Sequence, residues 1–208
     1  MTEIRPPARV LALDIGNVCL NVEMDQFVAN LGFDSADAFV HDPRGAALYQ
    51  VGCAFERGEM DTHEFLTRLS NELPNPVTIE EAHKIASSII GPQLTGIAEV
   101  VALAKANNIQ VVFLSDIGPL HYELVHETLD FLDDVDGAVL SYKVGQQKPH
   151  DDMYIAMEEE FCGGRPPLLF ADDKLCNIEA AQNRGWNAYQ VGCHNELLES
   201  LQQAIDAL

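Results

Sequence analysis

Asp14 interrupts the apolar run RVLALDIGNVCLNV (9–22), where a strand covered on both faces should carry no charge. The pattern recurs along the chain. Ser115 and Asp116 follow VVFL (111–114), Ser141 follows GAVL (137–140) with Lys148 shortly after, and Asp172 and Asp173 follow PLLFA (167–171). Four strand ends thus offer a carboxylate of nucleophile type, a hydroxyl, an ammonium and two further carboxylates. In an open parallel sheet, ligands bind beyond the carboxyl ends of the strands, so these groups should share one edge. Singly, each has a plainer reading as a helix cap or turn residue. Jointly that reading weakens, because three converging carboxylates repel unless a divalent cation lies between them. Mg²⁺ prefers such oxygen ligands and completes its octahedron with waters and phosphate oxygens. Lys148 adds a second positive charge that holds Asp14 ionised and pairs with a phosphate oxygen. The chemistry this set allows is carboxylate attack on a phosphoryl group.

The elements that must position these residues follow from hydrophobic periodicity. Strand-like runs at 10–13, 111–114, 137–141, 167–171 and 188–192 alternate with stretches of helical spacing, such as Ile97, Val100, Val101 and Ala104. That alternation predicts an α/β fold with a Rossmann-like parallel sheet flanked by helices. The stretch 20–93 is far longer than one crossover helix requires. Its apolar residues fall at helical spacing (Phe27, Leu31; Phe65, Leu66, Leu69; Ile85, Ile89), with Pro-rich breaks at 74–77 and 91–93. It reads as a small all-helical cap inserted into a core formed by 1–19 and 94–208. The EEE at 158–160 reads as a solvated helix face.

With 12 Lys and Arg against 33 Asp and Glu, the formal charge is −21. A negative envelope repels nucleic-acid backbones and anionic lipid headgroups, so neither is expected as a partner. A small anionic substrate requires a local reversal of field, which a metal and a Lys would provide. The five cysteines (19, 53, 162, 176 and 193) lack metal-ligand spacing and read as reduced thiols. MTEIRPPAR has no apolar segment before its Pro pair, so neither a signal peptide nor a membrane span is expected, and the reading is a soluble cytoplasmic protein.

LALDIGNVCL, VVFLSD, SYKVGQQKPHDDMY and LLFADDKLCNIEAAQNRGW resemble, in order and spacing, the four motifs of the haloacid dehalogenase-like (HAD) phosphatase superfamily. The long segment after the first motif is similar to that superfamily's helical cap. The DIGNV variant, with FERGEMDTHEFL at 55–66, most resembles a subgroup that includes bacterial phosphatases of glucose 1-phosphate. The resemblance implies an aspartyl-phosphate formed on Asp14 and a phosphoryl oxygen held by Ser115, with Lys148 bridging nucleophile and phosphate. It implies Mg²⁺ held by Asp14, Asp172, Asp173 and the Gly16 carbonyl, with Gly16, Asn17 and Asp116 also lining the phosphate site. The expected reaction is Mg²⁺-dependent hydrolysis of a small phosphometabolite, a sugar phosphate above all.

Two departures matter. Most phosphatases of the superfamily carry a second Asp two residues after the nucleophile, to protonate the leaving oxygen; here that position is Gly16. Loss of such an acid costs about 10²–10⁴-fold on a poor leaving group, which would favour 1-phosphates over primary-alcohol phosphates. Asp116 stands where the family usually has Asn. Its plain reading is a cap for the helix near Pro119, and its sharper one is the proton donor that Gly16 cannot be. Lys174 reads as a solvated helix-start residue, and Glu56, Arg57 and His63 as cap residues that could face the substrate, with helical surface the plainer reading. Tyr142 and Trp186 read as core or rim aromatics, and His121 and His126 have poor metal spacing. Two competing functions share these motifs. One is a 2-haloacid dehalogenase, whose family members lack the second Asp but also lack the acidic pair of the fourth motif. The other is a catalytically weak phosphometabolite-binding protein.

Overall fold

The computed structural model describes residues 7–208. Residues 1–6, part of the stretch in which no signal peptide is expected, lie outside the described residues. The strands are β1 (Ala8–Leu13), β2 (Leu20–Val22), β3 (Ile90–Gln93), β4 (Gln110–Ser115), β5 (Gly137–Leu140), β6 (Pro167–Asp172) and β7 (Ala188–Gln190). Five of them form one parallel sheet in the order β5-β4-β1-β6-β7. The chain leaves β1 for one side of the sheet and returns to build the other, so a crevice opens at the carboxyl end of β1 between β4 and β6.

Side chains of β1 alternate between two cores, as a strand covered on both faces requires. Leu11 and Leu13 join Val111, Phe113 and Leu169 on one face, while Val10 and Ala12 join Val112, Leu114 and Phe170 on the other. The first face is covered by α6 (Ile97–Ala106), α7 (Pro119–Thr128) and α11 (His194–Asp206). The second is covered by α9 (Asp151–Glu160) and α10 (Leu175–Asn183), with Tyr154, Phe170 and Trp186 packed edge to face. A single turn, α8 (Ser141–Val144), links β5 to the Lys148 loop.

Between β2 and β3 lie α1 (Met24–Asn30), α2 (Ala36–His41), α3 (Pro43–Glu56), α4 (Thr62–Glu72) and α5 (Ile79–Ser87). Their starts are written in the sequence: Ser35, Asp42, Asp61 and Thr78 each accept a backbone N–H, and Thr78 and Glu81 close a reciprocal capping box. These helices pack a third cluster around Phe33, Phe39, Leu48, Phe55, Phe65 and Leu69. Its only buried contributor from outside residues 28–86, among the described residues, is Leu120.

The expectation that 20–93 is all-helical is corrected here. β2 and β3 pair antiparallel, Leu20 with Gln93 and Val22 with Ile90, so a two-stranded ribbon carries the helices. The ribbon escapes periodicity because its strands have three and four residues, and Gly91 and Pro92 make the second read as a break. A seam closes the other flank. Ser141 Oγ donates to the Glu56 carbonyl at 2.6 Å. Gly58, at φ +70°, lies against the Tyr142 backbone, and a Cβ on Gly118 would run into the Phe55 ring. No helix of the described residues is long and apolar enough to cross a membrane.

Candidate active site

Asp14 directly follows β1 at the crevice and is 6% exposed. Its Oδ1 accepts from the Ile15 N–H (2.8 Å) and Ser115 Oγ (2.8 Å) and forms an ion pair with Lys148 Nζ (3.0 Å). All three of these contacts fall on Oδ1. Burial pushes the Asp14 carboxyl up to about 6, against the pull of the Lys148 ammonium, so the group is still mostly ionised at neutral pH.

Lys148 has a side chain only 1% exposed and donates to Asp172 Oδ2 (2.6 Å) and the Leu114 carbonyl (2.8 Å) as well as meeting Asp14. Burial alone would lower its pKa. The carboxylates of Asp14, Asp172 and Asp116 outweigh that and hold the ammonium charged above its ordinary range. Asp172 is wholly buried, and its two oxygens also take the Lys174 N–H and the Asn177 amide.

Asp173 differs from its neighbour. Its Oδ2 accepts from Asn17 Nδ2 (3.1 Å), while its Oδ1 is buried without a hydrogen-bond partner. An orphaned buried carboxylate oxygen is costly unless a cation completes it. Asp14, Asp172 and Asp173 each present an oxygen within 4.8 Å of the others. The donor set is therefore oxygen-rich, anionic and incomplete, which fits Mg²⁺. Asn17 sits at φ +55°, and its amide bonds both Asp173 and the Val22 N–H, so it braces the acid loop.

Two expectations need correction. Asp116 does not cap α7, whose first turn has no side-chain cap; its Oδ1 accepts the Lys148 N–H at 2.8 Å and fixes the loop that carries the ammonium. Burial raises its pKa, with Lys148 pulling the other way. Glu56 is not plain helical surface. It lines a cleft of about 520 Å³ together with Asp14, Ser115, Asp116, Lys148 and Lys174. Burial first, then the Asp116 carboxylate, pushes Glu56 up to about 8. Tyr49, Cys53 and Cys176 line the same cleft.

Lys174 starts α10 and is exposed, as expected, yet its ammonium faces the cleft. Burial would lower its pKa, and Asp14 and Asp116 more than reverse that. Ser141 serves as the seam described above and is no part of the cleft wall. His121 is packed against Phe55 and Phe65, and Trp186 is core. Sequence reading had no signal for Gln147, which bonds Glu56, because a Gln in a loop marks nothing by spacing.

No family model matches the chain. It is 23% identical over 190 residues to a D-ribitol-5-phosphate phosphatase of Bacteroides thetaiotaomicron, spanning 86% of this chain and 90% of that one. Among solved structures, a HAD family enzyme of the same organism superposes with TM-score 0.73 at 20% identity, covering 87% of this chain and 92% of that one. The fold is haloacid dehalogenase-like. A further structure of that enzyme, bound to magnesium and inorganic phosphate, gives TM-score 0.71 at 21% identity over 86% and 92% of the two chains. The haloacid dehalogenase-like fold also matches the L-2-haloacid dehalogenase of Xanthobacter autotrophicus, with TM-score 0.60 at 16% identity over 94% and 88% of the chains.

Proposed function

We propose that this protein is a Mg²⁺-dependent phosphomonoester hydrolase that acts on a small phosphorylated metabolite through an aspartyl-phosphate on Asp14. The observation that carries the reading is the pairing of a preorganised Asp14, held by Ser115 and Lys148, with the unpartnered Asp173 Oδ1 beside it. Asp14 Oδ2 would attack phosphorus in line with the departing oxygen, and the bond to that oxygen would break. Lys148 would balance the charge gathered on the equatorial oxygens without having to move. Ser115, whose proton now rests on Asp14, is placed to turn that donor toward a phosphoryl oxygen. Water would then cleave the acyl phosphate and free Asp14. Mg²⁺ held by Asp14, Asp172, Asp173 and the Gly16 carbonyl would supply the positive charge that lets a dianion approach these acids.

Charge balance supports the metal. Four carboxylates (Asp14, Asp116, Asp172 and Asp173) surround a site with two ammonium groups, Lys148 and Lys174, while Glu56, pushed up to about 8, adds little charge. A phosphate dianion cannot add to that excess without a divalent cation. The same acidic pair weighs against the dehalogenase reading despite the shared fold. The named activity of the Bacteroides relative supports sugar and polyol phosphates as the substrate class. With 20–93 read as a cap on the core, the choice of substrate would fall to the α1–α5 side of the cleft. A preference for 1-phosphates follows from Gly16 only if the cleft offers no other proton donor.

Phosphate release measured over a panel of phosphometabolites with Mg²⁺ should return at least one substrate, silenced by EDTA and by Asp14→Asn. EDTA-resistant halide release from 2-haloacids would replace this reading with the dehalogenase one. Binding of phosphometabolites with no turnover would replace it with the binding protein.

A further inference from the structure

We propose that Glu56, on α3, performs the proton transfers that Gly16 leaves unassigned: it protonates the leaving oxygen and then activates the attacking water. The proposal rests on the phosphatase reading above. In-line displacement puts the leaving oxygen on the side of phosphorus opposite Asp14, and Asp14 lies at the sheet edge. Away from the sheet edge the cleft is lined by Leu20, Val22, Met24, Ile89 and Ile90 and by α3, which presents Tyr49, Cys53 and Glu56 to it at helical spacing. Glu56 is the carboxyl group among them.

Its placement is built rather than incidental. Gln147 Nε2 donates to Glu56 Oε2 at 2.7 Å, and Arg57 donates to Gln147 Oε1 at 3.2 Å, which fixes the amide with its N–H toward the acid. Glu56 Oε1 is then the oxygen that carries the proton. The Glu56 carbonyl is itself held by Ser141. Glu56 is the last residue of α3, where the helix dipole disfavours a negative charge. Burial and the carboxylates of Asp116 and Asp14 push its pKa up, with Lys174 and Arg57 pulling down, so the group is substantially protonated at neutral pH. Asp116 is the worse donor: it leaves the sheet edge beside Ser115, on the nucleophile's side, and one oxygen is committed to the Lys148 N–H.

The steps balance. As Asp14 Oδ2 bonds to phosphorus and the P–OR bond breaks, the Glu56 carboxyl gives its proton to RO⁻, leaving ROH and a Glu56 carboxylate. That carboxylate takes a proton from water as the water oxygen bonds to phosphorus and the bond to Asp14 breaks. Phosphate leaves, and Asp14 and the Glu56 acid are restored. With a donor in place, primary-alcohol phosphates need not be disfavoured against 1-phosphates.

The test is leaving-group dependence. kcat/KM is measured for p-nitrophenyl phosphate and for phenyl phosphate, whose phenol is close to the Tyr side chain in acidity, about 10. Glu56→Gln should lower kcat/KM about tenfold with p-nitrophenyl phosphate and about 10³-fold with phenyl phosphate, the difference falling within the reach of one proton donor. Trapped phosphoenzyme should appear as a burst of p-nitrophenol before a slow steady state. An equal fractional loss on both substrates, or no loss on either, overturns the assignment. Should Glu56→Gln fail to fold, Glu56→Asp should show the same split at smaller size. Wild-type protein that turns over neither ester nor any phosphometabolite of the panel, with Mg²⁺ present and in no way distinguishable from Asp14→Asn, would instead overturn the phosphatase reading itself.

Discussion

Lys148 is the side chain on which the site's electrostatics turn. Its buried ammonium lies between Asp14 (3.0 Å) and Asp172 (2.6 Å). Removing one partner of a buried ionic cluster leaves uncompensated charge and costs about 3–5 kcal/mol. Lys148→Ala should therefore lose about that much stability in urea melts at low Mg²⁺, as well as its activity. Added Mg²⁺ should stabilise the variant more than the parent, because the cation takes over part of the missing charge. A variant as stable as the parent without metal would mean that the two acids are not both ionised. At this scale the gathering of Asp14, Ser115, Lys148, Asp172 and Asp173 was legible, because a polar residue closing an apolar strand has few other reasons to be there. The placements of Asp116 and Glu56 were not. Asp116 bonds a backbone N–H 32 positions away, and α3 mixes apolar and polar residues so evenly that its inward side cannot be read from spacing.

Elements show the same division between local and distant causes. Each parallel strand was legible as an apolar run, and the helix starts as caps, since both signals lie within a few residues. The β2–β3 ribbon was not, because two very short strands become a ribbon only by pairing across nearly seventy residues. One helix contact makes a testable statement about acid. His121 on α7 lies edge-on to Phe55 and Phe65, with Nε2 at 3.2 Å from the Ala86 carbonyl of α5. Burial drives its pKa down to about 4, opposed by the Ala86 carbonyl and helped by His83. The unfolded chain then binds this proton before the folded one does, so stability falls as pH drops from about 6.5 toward 4. Between pH 7 and pH 5 this histidine should account for about 2 kcal/mol of lost stability. Urea melts of the parent and of His121→Gln at both pH values isolate that share. The variant should lose less than the parent on acidification, and parallel losses would dismiss the buried neutral imidazole.

The whole molecule sets a field that its cleft must overcome. A formal charge of −21 repels an approaching dianion at distances where Lys148 and Lys174 are not yet felt. Salt screens that repulsion, with a Debye length near 10 Å at 0.1 M. At fixed saturating Mg²⁺, kcat/KM for p-nitrophenyl phosphate should rise about twofold or more between 10 and 150 mM NaCl. A steep fall instead would show that the local cations steer substrate from afar.

Among the described residues, the cluster beneath α1–α5 draws one buried member, Leu120, from beyond its own stretch of chain. Its packing can drift across generations while the layers around the sheet stay untouched. Only where α3 meets the sheet, at Phe55 and Glu56, is that freedom curtailed, because there a helix face both packs on the core and lines the crevice.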